Sequence, residues 1–200
     1  VDALSLKENA RGLGVPLAEE PGGFREWGPR LAARLSHTGA PGWRVLAPAA
    51  EKQELVEMFE AAGLPGADPE SARVVRFEYG RPRYGEEITE AHLPQETRQL
   101  QALHFSKGCY LGQEIVERVR SRGQVHRQLR LVEIDTMTPP APGAKLTRDG
   151  AEAGEIASAA YSPALEKTVA LAYLRTPFAA PATPLRLDGV TATVQGPARI

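Results

Sequence analysis

The residues most suited to chemistry lie in FSKGCYLGQEIVERVRSRG, residues 105–123, which contains the single cysteine of this 200-residue chain. A thiolate is the one strong soft ligand and sulfur nucleophile that the sequence can offer. A lone cysteine is most often a small buried hydrophobe. The lysine, tyrosine, glutamine and glutamate around Cys109, however, make a poor core strand. Gly112 followed by QEIVERVRSRG predicts a helix that Gly123 ends, with Ile115 and Val119 on one face and Glu114 and Arg118 placed to pair. Cys109 then lies just before a helix N-terminus, where the backbone dipole and Lys107 favour a reactive sulfur. Gly108 and Gly112 there leave room for a ligand to approach the backbone.

Other chemistries find less support. His37, His92, His104 and His126 are scattered without the paired spacing of a zinc site, so no metal ligand is assigned. One cysteine cannot hold an iron–sulfur cluster alone, although it can share one with another molecule. VRSRGQVHRQLR places Arg118, Arg120, Arg122, Arg127 and Arg130 in a basic strip that suits phosphate, polyglutamate or RNA. No aromatic residue interleaves that strip, which weakens RNA, and a solvated helix end is the simpler explanation. GRPRYG has neither Walker nor dinucleotide spacing.

The elements that must position these residues follow from periodicity and turn chemistry. With 42% hydrophobic residues, 24% charged residues and a formal net charge of -1, the chain reads as globular, without a global pull toward nucleic acid or membrane. No apolar run spans a bilayer, so a cytoplasmic location is expected. The segment 1–23 has no sustained period and is assigned no place in a core. GWRVLAP predicts a short buried strand. AAEKQELVEMFEAAG predicts a helix with Leu55, Phe59 and Ala62 on its buried face and Gly63 beyond its end. Asp68 and Pro69 open a second helix, PESARVVRFEYG, with Ala72, Val75 and Tyr79 on one side and Arg76 and Glu78 pointing elsewhere. From residue 126 the pattern turns to short β runs, LRLVEI, EIASAA, TVALAYL and LRLDGVTATV, with Asp-Gly pairs that favour tight hairpins. MTPPAPGAK is a loop within that region. The expected organisation is α+β over residues 1–125, followed by a small antiparallel β-barrel or sandwich over 126–200.

KGCYLGQE resembles the signature of the YgfZ branch of folate-binding proteins, which are related to the T-protein (aminomethyltransferase) of the glycine cleavage system. RFEYGRPRYGEEITEAHLPQE is similar to that family's "RxExGxPxYGxEI" and "LPQE" segments, and GEIASAAYSPALEKTVALAYLR looks like its C-terminal barrel segment. The resemblance implies a GcvT/YgfZ-like folate-binding domain and a barrel beside it, with tetrahydrofolate or another reduced folate as cofactor. Glu78 resembles the glutamate that grips the pterin, whose ring N–H and amino group match the two acceptors of a carboxylate. Tyr84 and Tyr110 would cover the ring, and Lys107 or the arginine strip would meet the glutamate tail. Gln113 stands where the T-protein branch has an arginine, so contacts there differ. The chain shows no counterpart of the segment carrying the T-protein's catalytic aspartate, which implies a shortened homologue or a further N-terminal part. The function implied is a folate-dependent accessory role in iron–sulfur cluster assembly or repair, including for tRNA-modifying enzymes. Cys109 would be the reactive thiol, and client proteins or assembly factors the partners. The alternatives are a folate-dependent aminomethyl or one-carbon transferase, and an RNA-binding module built on the arginine strip.

Overall fold

The structure is a computed structural model in which residues 2–3, 12–123 and 125–197 are described. The chain packs as two compact units, Val1–Arg76 and Phe77–Ile200.

In the first unit, β1 (Asp2–Ala3), β2 (Phe24–Trp27), β3 (Arg30–Ala33) and β4 (Trp43–Leu46) form an antiparallel sheet in the order β1-β4-β3-β2. The predicted strand at GWRVLAP is β4, with Trp43 and Val45 buried. The helix α1 (Lys52–Ala61) buries Leu55 and Phe59, and the Phe59 ring meets Trp43 edge to face at 5.2 Å. Ala62 does not share that face: it is exposed at the helix end, and the chain leaves through Gly63 at φ 78°. The segment 1–23 also departs from expectation where it is described. Val15 and Ala18 are buried, and Leu13 and Leu17 pack on the same cluster as Trp43 and Phe59. The alternation Leu13, Val15, Leu17 was the available signal; Gly and Pro on either side obscured it.

The helix α2 (Pro69–Glu78) starts as expected. Asp68 accepts from the Ser71 backbone N–H at 2.9 Å and from its hydroxyl at 2.7 Å. Those bonds hold the Asp68 carboxyl below its ordinary range. Its buried face differs from the expected one. Arg76 and Phe77 are the buried residues, while Ala72, Val75 and Tyr79 are only half-buried.

The second unit contains the expected barrel. β5 (Arg127–Ile134), β6 (Lys145–Arg148), β7 (Ala151–Ser162), β8 (Lys167–Arg175), β9 (Pro184–Leu187) and β10 (Val190–Pro197) close in the order β10-β5-β8-β7-β6-β9, every pairing antiparallel. Val132 and Ile134 of β5 join Ala170, Ala172 and Leu174 of β8 in the core cluster with Leu146, Ile156 and Leu185. Leu129 and Leu131, of opposite parity on β5, are buried too, so that strand is covered on both faces. Each Asp-Gly pair makes a two-residue hairpin with both residues at positive φ, Asp149–Gly150 between β6 and β7 and Asp188–Gly189 between β9 and β10. A Cβ at Gly154 would lie 2.2 Å from the Tyr173 carbonyl oxygen, so β7 and β8 can approach there only with glycine.

Candidate functional site

The helix α3 (Gln113–Arg122) has the predicted limits. Gly112 at φ 84° leads in and Gly123 at φ 71° leads out. No side chain caps its start in the usual way. Instead the Gln113 carboxamide reaches back to accept from the Tyr110 backbone N–H at 3.1 Å. Ile115 and Val119, expected on one face, differ in exposure: Ile115 is exposed and Val119 half-buried, while Val116 is the buried residue. Among the described residues this helix carries an ion pair of Glu117 with Arg120 at 3.4 Å, where Glu114 and Arg118 were expected to pair.

The first turns of α3 and the preceding loop border a cleft of about 570 Å³. Lys107, Tyr110 and Gln113 line it together, with Phe105, Glu114 and Arg118 contributing further wall. Lys107 Nζ lies 4.8 Å from the centre of the Tyr110 ring, which fixes the cation beside an aromatic face. The lining is mixed: two cations, two carboxylates counting Glu117, one carboxamide, the Phe105 and Tyr110 rings, the His104 imidazole and the Ser121 hydroxyl. Such a set fits a ligand that presents amine-type donors, a planar ring and carboxylates, as a folate does.

The remaining predicted residues are not in this lining. Cys109 is exposed and lies in sequence between Lys107 and Tyr110. Glu78 is half-buried, and its Oε1 accepts from the Ser162 hydroxyl at 2.5 Å. Ser162 is fully buried at the end of β7, so the barrel orients this carboxylate. Tyr84 is exposed and bridges Ile88 through its backbone.

The arginines do not make one solvated strip. Arg118 lines the cleft, and Arg120 lies 4.3 Å over the Phe105 ring. Arg127 bonds Glu96 at 3.2 Å and covers Tyr173, and Arg130 is buried. The side chain of Arg122 lies outside the described residues. Among the described residues no cluster of three or more His, Cys, Asp and Glu side chains is placed to hold a metal. No helix there is long and apolar enough to cross a membrane.

Several structural roles went unassigned in the sequence. The segment YGEEITEAHLPQE clasps the outer face of the barrel. Glu87 is fully buried: Ser158 donates its hydroxyl to Oε1, the Arg83 backbone N–H donates to Oε2 at 2.8 Å, and the Tyr173 hydroxyl donates to the Glu87 carbonyl at 2.9 Å. His92 stacks on Tyr173 with ring centres 4.2 Å apart. Burial, then the Arg127 charge, lowers the His92 pKa, and burial raises that of Tyr173. The Leu129 backbone N–H donates to the Glu96 carbonyl at 2.7 Å, and the Gln95 carboxamide donates to the Val116 carbonyl at 2.9 Å. Gln95 thereby ties α3 to the clasp. The clue was two adjacent acids and LPQE in a loop, where polar groups that are neither capping nor solvated require buried partners.

Residues 127–198 match the family described as the glycine cleavage T-protein C-terminal barrel domain. An aminomethyltransferase of Symbiobacterium thermophilum is 27% identical over 179 residues, covering 87% of this chain and 44% of the relative. That of Streptomyces coelicolor is 30% identical over 177 residues, covering 84% of this chain and 46% of the relative. The chain thus spans a little under half the length of these relatives. The crystal structure of glycine cleavage system aminomethyltransferase T from Bartonella henselae superposes with a TM-score of 0.79 at 20% identity, covering 96% of this chain and 56% of that one. The chain is related to the glycine cleavage T-protein, and its second unit carries that protein's C-terminal barrel.

Proposed function

We propose that this protein binds a reduced folate through residues 1–125 and that the cleft beside α3 receives part of it. The observation that carries this reading is the convergence of Lys107, Tyr110 and Gln113 on one cleft in a chain related to aminomethyltransferases. Tyr110 offers a ring face, and Lys107 and Arg118 offer cations to a glutamate tail. Glu78, whose Oε1 accepts from Ser162, would offer its carboxylate to the pterin's donors. When bound, the folate would supply a one-carbon carrier. The chain's own residues would bind and orient it, and the one-carbon reaction is the alternative activity.

Calorimetry with folinate tests this. Micromolar or tighter binding is expected, weakened about tenfold or more by Lys107→Ala and by Glu78→Gln, each of which removes a charge-assisted hydrogen bond. A folded wild-type chain with no folinate binding rejects the reading. Unchanged affinity in Glu78→Gln rejects only that residue's role.

The exposed thiol of Cys109 favours a second reading, an accessory role in iron–sulfur cluster assembly or repair for client proteins, tRNA-modifying enzymes among them. Serine cannot replace a thiolate toward iron or a persulfide. A Cys109→Ser gene should then fail to restore cluster-enzyme activity in a deletion strain while the variant still binds folinate. Full rescue by the serine variant separates Cys109 from any such role.

A further inference from the structure

A second cleft, of about 660 Å³, borders the C-terminal half of α3 and the start of the barrel. Its apolar wall includes Leu100, Leu103, Val119 and Pro177, its polar wall Arg98, Arg120, His126 and Gln128 with Gln95 and Thr176, and among the described residues no aspartate or glutamate lines it. Arg98 is held in an unusual way for an arginine. Its backbone is at φ 62°, a left-handed conformation costly for a bulky residue. Its Nε is buried without a hydrogen-bond partner. Arg130, buried nearby, also has an unpartnered Nε. Burial, and then the positive charge of Arg98, lowers the Arg130 pKa, so the two guanidinium groups act on each other as like charges. Arg130 Nη2 donates to Gln128 Oε1 at 2.6 Å, which occupies the acceptor of that carboxamide and leaves its NH2 group as the donor for a ligand. Like charges in a partly dehydrated site with unused donors are unfavourable until an anion joins them.

The geometry points to a second ligand site here for an organic oxyanion with an apolar body, its carboxylate or phosphate on Arg98 and the Gln128 carboxamide and its body against Leu100, Leu103, Val119 and Pro177. This site stands apart from the folate reading, since the two clefts share Phe105 but none of Lys107, Tyr110 and Gln113.

Calorimetry and backbone-amide NMR on the full chain, with benzoate, phenyl phosphate and inorganic phosphate as probes, test it. One of the two aromatic anions should bind one to one and shift the amides around Arg98 and Val119, and which of them binds tells carboxylate from phosphate. Inorganic phosphate should bind at least tenfold more weakly, because the apolar wall gives it nothing. Asparagine accepts the left-handed backbone better than arginine does. Arg98→Asn should therefore match or exceed the wild-type Tm while binding falls more than tenfold. Val119→Asp, which puts a negative charge in the wall, should also abolish binding. Binding of neither aromatic anion, equal binding of inorganic phosphate, or wild-type affinity in either variant overturns the proposal. Displacement of the aromatic anion by folinate would make this cleft part of a folate site and overturn it as a second one. A chain that binds no folinate leaves this test intact.

Discussion

The barrel and the segment 98–126 are neighbours in the chain and hold their side chains in opposite ways. The barrel cluster places Val132, Ile134, Leu146, Ala170 and Leu174 wholly out of solvent. Within the segment only Val116 is a buried hydrophobic residue, while Phe105, Leu111 and Ile115 are exposed among the described side chains. Backbone ladders and apolar burial make the barrel a scaffold. The segment is positioned instead by a few polar ties, Gln95 to Val116 being the clearest, and both clefts are built on it. Elements with little buried apolar contact open most readily, and ligand-binding surfaces are commonly drawn from them.

Substitutions can break this contrast in a graded way. Leu146→Ala, which empties a fully buried barrel position, should lower stability by about 2–5 kcal/mol in urea unfolding. Val116→Ala should cost well under half as much and mainly speed amide exchange in α3. Equal costs would mean that α3 is part of the core. Glu87→Ala comes next, at about 3 kcal/mol, because the Ser158 hydroxyl and the Arg83 N–H lose a buried acceptor. A loss below about 1 kcal/mol would show that the clasp is dispensable to the barrel. Gly112→Ala forces a Cβ into a left-handed conformation and should cost about 1–2 kcal/mol, read as earlier local exchange of α3. A lowered Tm with α3 exchange unchanged would place the strain elsewhere.

The smallest effect is a dependence on pH. The His92 pKa in the folded chain lies below its ordinary 6.5. Over the window from about 6.5 down to that depressed value, the unfolded chain binds the proton and the folded chain does not. His92 therefore lowers stability as pH falls through that window and has no such effect above it. His92→Phe keeps a ring against Tyr173 and removes the titration, so its Tm should decline less than wild type between pH 7 and pH 5. Parallel curves would exclude His92 as a source of acid sensitivity.

Much of the local structure was legible. The Asp-Gly pairs predicted both tight hairpins because few residues accept two successive positive φ angles. Gly112 and Gly123 bracketed α3, and Asp68 capped α2. Lys107, Tyr110 and Gln113 line one cleft because they stand within seven residues of one another, whereas Glu78 and Tyr84, named with them from the sequence, are not in that lining. Arg98 was not singled out, since nothing in QETRQLQ distinguishes a strained arginine from a solvated one.

What the sequence by itself determined was local: where helices start and stop, where strands turn, and that residues 126–200 are short β runs joined by tight turns, as in an antiparallel barrel or sandwich. These depend on backbone preferences and on periods of two or 3.6 residues, which act over a few neighbours. The tertiary structure alone decided which faces are covered. It buried Val116 and left Ile115 exposed, and it buried Arg76 on the helix that Asp68 opens. It carried Glu87 to Ser158 across 71 positions of sequence, gave Glu78 to Ser162, and brought Arg130 under the charge of Arg98. A period states that one side of an element is apolar enough to be covered, but the partner that covers it is chosen by contacts among distant residues, and those exist only once the chain has closed on itself.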